Sequence, residues 1–267
     1  MDESLLDLLD ARDGIVCAVG AGGKKTVLQH LVARHPGRVA LTATVFTTHF
    51  PEGLGCGIAI DEAERLPERV AALDVAKKVA YACPSDKPGR YAGVPPAVIE
   101  RIHRERGYDA TYVKADGARM RWVKAPADDE PLLPDGCTTI IAVVSARAIG
   151  EPLDSRVAHR IDRIAAITGL EEGRTIEPGH VARLIVHPDG LARARGGRRF
   201  VPLINMVDDE CHAELARQVA AIALDLEPAL ERVVLACLKD HANPLVSVVR
   251  RHAAAVTPPG AGPTIRP

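Results

Sequence analysis

Residues 14–26 read GIVCAVGAGGKKT: a short apolar run, three glycines within four residues, and two lysines followed by a threonine. The apolar run predicts a buried β-strand, and residues 24–34 have the pattern of a helix. Glycines allow the backbone to turn tightly and to aim its N–H groups at an anion. A helix N-terminus adds partial positive charge at the same point. This stretch therefore predicts a phosphate-binding loop between a strand and a helix.

The match to the usual phosphate-loop spacing is imperfect. If Gly23 and Lys24 are the Gly-Lys pair of that motif, its first glycine falls on Ala18 and its metal-binding hydroxyl falls on Lys25. Either Thr26 reaches the metal from one residue further on, or Mg²⁺ is coordinated differently here. The predicted ligand-binding residues are Gly20, Ala21, Gly22, Gly23, Lys24, Lys25 and Thr26.

The loop has two other interpretations, and the sequence favours neither. A dinucleotide fingerprint G-x-G-x-x-G would place its third glycine on Lys25, and the second predicted strand ends in Thr42-Ala43-Thr44 without an acidic residue for a ribose. A glycine turn without any ligand would leave two adjacent lysines at a helix start, which is unfavourable unless an anion is present. Phosphate binding is the preferred interpretation.

The rest of the chain alternates short β-branched runs with longer helical stretches, which predicts a mostly parallel sheet with helices on both faces. The predicted fold is a three-layer, P-loop NTPase-like α/β domain over residues 1–256. It contains a long irregular insert at about residues 118–136, and residues 257–267 form a Pro/Gly-rich, disordered tail. Strands are predicted at residues 14–19, 38–44, 77–83, 109–115, 138–145, 200–207 and 232–238, and helices at 24–34, 61–73, 95–106, 157–168 and after 207 to about 226.

Ligands of parallel sheets bind beyond the carboxyl ends of the strands. Asp116 follows the strand at 109–115 and is the candidate for holding Mg²⁺ or a bridging water, together with Thr26. Asn205 and Asp208 end a later strand with the spacing of a base-reading loop in GTP-binding proteins, although Met206 stands where a lysine is usual.

The composition indicates which partners and which cellular location to expect. The formal net charge is −1 and hydrophobic residues make up 47% of the chain, so no basic field for nucleic acid is expected. No secretory leader and no apolar run of membrane-spanning length is visible, and no CxxC pair occurs among the six cysteines. These features predict a cytoplasmic protein.

Several stretches together resemble the YqeC-like family, known as accessory proteins of selenium-dependent molybdenum hydroxylases. The similar segments keep their order along the chain: VGAGGKKT at 19–26, KADGARMRWVKAP at 114–126, EPLLP at 130–134, HRIDRIAAITGL at 159–170 and HPDGLARARGGRRFVPLINMVDDE at 187–210. The Ala-Asp-Gly-Ala, Lys-Ala-Pro and Glu-Pro combination is distinctive, whereas the glycine loop alone is common.

The resemblance implies a P-loop NTPase domain with Lys24 on phosphate, Asp116 near the metal, and Asn205 and Asp208 near the base. Lys124 and Glu130 match family positions to which the resemblance assigns no role. On physical grounds, we expect them to face the γ-phosphate or a substrate. The implied activity is hydrolysis of ATP or GTP, or transfer of a phosphoryl group, with Lys24, Asp116 and Lys124 as catalytic residues and Mg²⁺ as cofactor. The implied partners are a molybdenum hydroxylase or the proteins that mature its cofactor.

This sequence departs from the family pattern at four places: Lys114 replaces a glutamate, Lys25 a serine or threonine, and Met206 a lysine, and Ala43 interrupts a threonine run. Two alternatives therefore stay open. One is a nucleotide-sensing binding module with little catalysis. The other is a small-molecule kinase whose acidic acceptor is held by Lys114, Arg119, Arg121 and Lys124.

Overall fold

The computed structural model describes residues 3–73 and 76–251. Its strands are β1 Gly14–Gly20, β2 Val39–Ala43, β3 Thr47–Thr48, β4 Gly57–Ile60, β5 Lys78–Ala82, β6 Arg90–Tyr91, β7 Ala110–Lys114, β8 Val123–Lys124, β9 Cys137–Ser145, β10 Ala158–His159, β11 Arg199–Asn205, β12 Arg232–Ala236 and β13 Leu245–Arg250. Its α-helices are α1 Leu5–Leu8, α2 Lys24–Arg34, α3 Leu66–Ala71, α4 Pro96–Arg106, α5 Ile161–Thr168, α6 Pro178–Val186 and α7 Glu210–Leu226.

Nine strands form one sheet in the order β13-β12-β11-β9-β1-β7-β2-β5-β4. Every neighbouring pair in it is parallel except β12 and β13, which are antiparallel. Strand β1 lies between β7 and β9, so the residues that follow these three strands meet at one edge of the sheet. Short strands β8 and β10 pair beside this edge, and β3 pairs with β6.

The two faces of the sheet bury separate cores, because successive side chains of a strand point to opposite faces. In β1, Val16 and Ala18 pack with α1 and α2, whereas Ile15, Cys17 and Val19 pack on the other side with α3 to α7. The α/β class and the three-layer, P-loop-like arrangement predicted from the sequence are confirmed.

The predicted strands and helices agree with the structure to within a few residues over most of the chain. The predicted helices at 61–73 and 157–168 are wrong at their starts. Helix α3 begins only at Leu66, and β10 occupies Ala158–His159, so that α5 begins only at Ile161. Helices α1 and α6 and strands β3, β4, β6, β8, β10 and β13 were not predicted. The insert at 118–136 is irregular apart from β8, and the predicted tail at 257–267 lies outside the described residues.

In the part of the chain that the structure describes, no helix has the length and hydropathy to cross a membrane.

Candidate functional site

The turn from β1 into α2 depends on glycine. Gly20, Gly22 and Gly23 have φ of 91°, 80° and 141°, a backbone region that residues other than glycine rarely adopt. A Cβ atom on Gly22 would lie 2.7 Å from Ser145 Cβ, and one on Gly20 would lie 2.2 Å from Val143 O. The loop therefore packs directly against the end of β9, and larger residues would push the two apart.

The backbone amides of this turn fall into two groups. Those of Gly20, Ala21 and Gly22 donate to Asp116 Oδ2 (2.9 Å), Val143 O (2.8 Å) and Arg121 O (3.2 Å). Of the described residues, none accepts a hydrogen bond from the amides of residues 23–26, where α2 begins. The first group fixes the loop, and the second is available to a ligand at the helix N-terminus.

Lys24 and Asp116 form a buried ion pair at the centre of the site. Lys24 Nζ lies 2.8 Å from Asp116 Oδ1, and also donates to Gly20 O. Lys24 is only 5% exposed and Asp116 1%. Burial lowers the pKa of Lys24, and the Asp116 carboxylate opposes this change.

Lys124 is a second cation on the same carboxylate. Its ammonium lies 2.9 Å from Asp116 Oδ2, donates to Gly117 O at 2.8 Å, and contacts Glu130 Oε2 at 2.5 Å. Glu130 Oε2 also accepts from Arg160 at 2.8 Å. Burial disfavours the Glu130 carboxylate, but the hydrogen bonds from Arg160 and Lys124 outweigh it and lower its pKa to about 2. The side chain of Lys124 is fully buried, so this chain of charges is a fixed part of the site.

Lys25 and Lys114 lie on the other side of the loop, in a cleft that Thr42, Thr47 and Thr48 also line. Lys25 Nζ donates to Thr48 Oγ1, and Lys114 Nζ donates to Phe46 O, both at 2.8 Å. Burial, followed by the charge of Lys24, lowers the pKa of Lys114 to about 7. The amine of Lys114 is therefore only partly protonated near neutral pH.

Asn205 and Asp208 follow β11 and have different surroundings. Asn205 Nδ2 donates to Gly22 O at 2.7 Å, and its Oδ1 accepts from Leu238 N at 3.0 Å, so the side chain ties the loop to the segment after β12. Asp208 accepts from Arg147 at 2.7 Å and from Lys239 at 3.0 Å. Arg147 and Lys239 are largely exposed, so a ligand can displace them more easily than it can displace a buried partner.

The four basic residues that the sequence suggested for an acidic acceptor are not together. Arg119 and Arg121 line one cavity, Lys114 lines the cleft beside Lys25, and Lys124 is buried on Asp116. Within residues 3–73 and 76–251, no group of three or more His, Cys, Asp and Glu side chains is arranged to hold a metal ion.

Sequence reasoning missed three members of the site: Ser145, Trp122 and Arg160. Ser145 ends β9, beside β1, and the strand-end rule could have found it. The backbone carbonyl oxygen of Trp122 accepts a hydrogen bond from Ser145 N, and the guanidinium of Arg160, from a later segment of the chain, donates to Glu130. Nothing in their local sequence marks the last two.

The fold and this turn define a three-layer α/β protein with a glycine-rich strand-to-helix loop. A family model described as YqeC protein matches residues 16–162, which include the loop, Asp116, Lys124 and Glu130. The uncharacterised protein YqeC of Escherichia coli (strain K12) is 28% identical over 216 residues, covering 77% of this chain and 80% of that protein. The chain belongs to the YqeC family.

Proposed function

We propose that this protein binds a nucleoside triphosphate, with the phosphates at the N-terminus of α2. The observation that carries the proposal is the division of amides in the loop: those of residues 20–22 fix its shape, while those of residues 23–26 find no acceptor among the described residues. Open amides at a helix N-terminus are an anion-binding arrangement.

Lys24 is the residue that would meet the terminal phosphates. In the structure its ammonium contacts Asp116, a carboxylate that gives it a negative partner inside the fold. A polyphosphate offers a more highly charged partner, and Lys124 remains on Asp116 when Lys24 turns away. The exchange therefore does not leave a buried carboxylate without a cation, which would be strongly unfavourable.

Catalysis in such a site depends on positioning and on neutralising charge as it develops on the transferring phosphoryl group. The loop amides would hold the phosphates, and Lys24 would neutralise the oxygens between the β- and γ-phosphorus. Lys124 acts through Asp116 and Glu130, because it has no exposed surface with which to touch a ligand.

Magnesium would enter with the nucleotide as part of the substrate. Both oxygens of Asp116 already face ammonium groups, so this carboxylate does not form a resident cation site in the observed arrangement. Mg²⁺ is commonly held by one or two protein oxygens together with phosphate oxygens and water, and it would neutralise phosphate charge here. The Thr26 hydroxyl, and Asp116 once Lys24 has moved, are the protein oxygens proposed for it.

The base would lie near Asn205 and Asp208. Asn205 already holds the loop, so its contribution is to positioning. Asp208 is the group able to accept the N–H groups of guanine if Arg147 or Lys239 moves aside. A preference for GTP over ATP that disappears in Asp208→Asn would place the base there.

The reaction proposed is NTP hydrolysis or phosphoryl transfer in the cytoplasm, in support of molybdenum hydroxylase maturation. The role in maturation comes from the family resemblance. A nucleotide sensor with little turnover is the second candidate, and the position of Lys25 favours it. An ammonium hydrogen-bonded to Thr48 stands where the metal-binding hydroxyl is usual.

A binding and single-turnover experiment with Lys24→Ala tests the proposal. Wild-type protein should bind ATP or GTP, with Mg²⁺ present, at least tenfold more tightly than Lys24→Ala, in calorimetric titrations of both. Lys78→Ala is the control, since among the described residues this lysine donates only to Ala33 O on the surface. Equal affinity in wild type and Lys24→Ala contradicts the proposed site. Mg²⁺-dependent loss of γ-phosphate in the wild type favours the enzyme, and its absence favours the sensor.

A further inference from the structure

A second cavity, of about 270 Å³, lies beside the glycine loop. Basic residues line much of it: Arg119, Arg121, His159 and Arg160. Its volume is close to the lower end of the range for small-molecule sites. Two exposed carboxylates, Asp162 and Glu172, also border it.

The guanidinium groups in this cavity differ in what they bind. Arg160 is held by Glu130 Oε2 at 2.8 Å and by Ala125 O at 3.0 Å. In the described part of the chain, the guanidinium groups of Arg119 and Arg121 have no hydrogen-bonding or ion-pair partner. Two planar cations are thus free to bind an anion with paired hydrogen bonds.

The backbone holds these arginines in unusual conformations. Arg119 has φ of 46° and Arg160 has φ of 67°, both in the left-handed region, which costs on the order of 1 kcal/mol or more for each residue. Met120, between the two free arginines, is also left-handed, with φ of 60°. Such conformations persist where the surrounding structure fixes them, and they are frequent at ligand sites.

The same segment is bonded directly to the glycine loop. Arg121 O accepts from Gly22 N at 3.2 Å, and Trp122 O accepts from Ser145 N at 3.1 Å. On the opposite wall, His159 pairs with Lys124 across strands β10 and β8. The cavity therefore lies next to the Lys24–Asp116–Lys124 cluster.

The charges acting at the His159 wall are mainly positive. Burial is the largest cause that lowers the pKa of His159 to about 4, and the charges of Arg160, Lys124 and Arg119 lower it further, while Glu130 opposes them. The cations that lower the pKa of His159 are groups that would also attract an anion to this side of the cavity.

We propose that this cavity is a second ligand site, which binds a small molecule carrying a phosphate or a dicarboxylate dianion through Arg119 and Arg121. Its role as the site of a co-substrate rests on the proposed function, because the neighbouring loop would then hold the nucleotide. The anion site itself does not depend on it.

Trp122, the single tryptophan of the chain, provides the readout. We would titrate the protein with inorganic phosphate and, separately, with malonate while following Trp122 fluorescence. At least one probe should saturate the signal in wild type and bind at least tenfold more weakly to Arg119→Gln/Arg121→Gln. Arg101→Gln/Arg104→Gln, which removes two exposed charges from α4, should behave as wild type. Thermal unfolding checks that each variant folds.

The variant Lys24→Ala distinguishes anion binding in this cavity from anion binding at the glycine loop. Under the proposal it retains the anion affinity of the wild type, whatever happens to its nucleotide binding. Loss of anion binding in Lys24→Ala but not in the double arginine variant would mean that the probe occupies the loop, and would overturn the proposal. So would the absence of binding of both probes, or equal affinity in wild type and the double arginine variant. Unchanged nucleotide affinity in Lys24→Ala contradicts only the proposed function.

Discussion

At the scale of single residues, the site has two lysines for one aspartate. Asp116 is contacted by Lys24 and Lys124, but only Lys24 stands at the start of α2, where phosphates would bind. Lys124 is fully buried and is fixed between two carboxylates. Lys24 can therefore leave Asp116 for a phosphate, because Lys124 stays in place and keeps the carboxylate paired.

Lys124→Met should lower the stability of the protein markedly. The substitution leaves Asp116 with Lys24 and Glu130 with Arg160, so neither carboxylate is left without a cation. The expected loss is therefore about 1.5–3 kcal/mol, the range for a buried hydrogen bond to a charged group. Lys239→Met is the matched control, because it removes a mostly exposed partner of Asp208, worth about 1 kcal/mol or less. Urea unfolding of the two variants measures the difference. Similar, small losses in both would show that the Lys124 contacts contribute little.

The affinity for nucleotide should depend on pH through Lys114. Its pKa of about 7 in the free protein lies below the ordinary value for lysine, because burial disfavours the ammonium. A bound triphosphate favours the charged form and raises this pKa, so binding takes up a proton and weakens as pH rises above about 7. Calorimetric titrations between pH 7 and 9 should show this fall in wild type and a smaller fall in Lys114→Gln. Parallel curves for the two proteins would assign the dependence to other groups.

Some of these residues follow from sequence and others do not. The glycine loop and Asp116 could be predicted, because strand ends in a parallel sheet are where ligands bind. The family resemblance points to Lys124 and Glu130, and a catalytic role is predicted for Lys124, but the resemblance does not predict which residues they contact. Their pairing with Asp116 and Arg160 joins segments that are separated along the chain, and no local pattern encodes such contacts.

At the scale of secondary structure, the start of α2 determines the site. The helix begins after three residues of positive φ that only glycine adopts easily, and the loop then packs on the end of β9. The local sequence thus sets both the direction of the open amides and the fit against the neighbouring strand.

Gly22→Ala should destabilise the protein by about 1–3 kcal/mol. The new Cβ would lie 2.7 Å from Ser145 Cβ and would need a φ of 80°. Gly179→Ala is the control, because a Cβ added to that glycine in α6 would meet no atom of the described residues within 4 Å apart from its own helix, so alanine should be neutral or stabilising there. Thermal and urea unfolding of both variants test this. A Gly22→Ala variant as stable as wild type would mean that the loop adapts freely.

Most elements with a strong local pattern were predicted well, and the short or exposed strands were missed. Helix α6 was missed although its sequence is amphipathic. Strand β9 is a nine-residue apolar run, buried along almost its whole length. Strand β4 has only four residues, and β13 is partly exposed at the sheet edge, so neither shows a clear run. The start of α5 was misplaced because Arg160 adopts a left-handed conformation and β10 pairs with β8, a contact set by tertiary structure.

At the scale of the whole molecule, the order of strands brings the chemistry together. β7 and β9 lie on either side of β1, so Asp116, Ser145 and the glycine loop meet although they come from separate parts of the chain. The alternation of strands and helices predicted the parallel sheet, but it did not predict which strands are neighbours. That order, and the packing of the loop between them, required the structure.

Hydrogen exchange of the loop amides, with and without nucleotide, shows whether phosphates bind the open amides at the start of α2. Mass spectrometry of peptides that cover residues 20–27 should show slow exchange for Gly20–Gly22 in both states, since these amides are already bonded. It should show new protection of the amides of residues 23–26 when ATP or GTP is added with Mg²⁺, because the phosphates would accept their hydrogen bonds. Unchanged exchange at residues 23–26 under nucleotide concentrations that saturate binding would contradict the account.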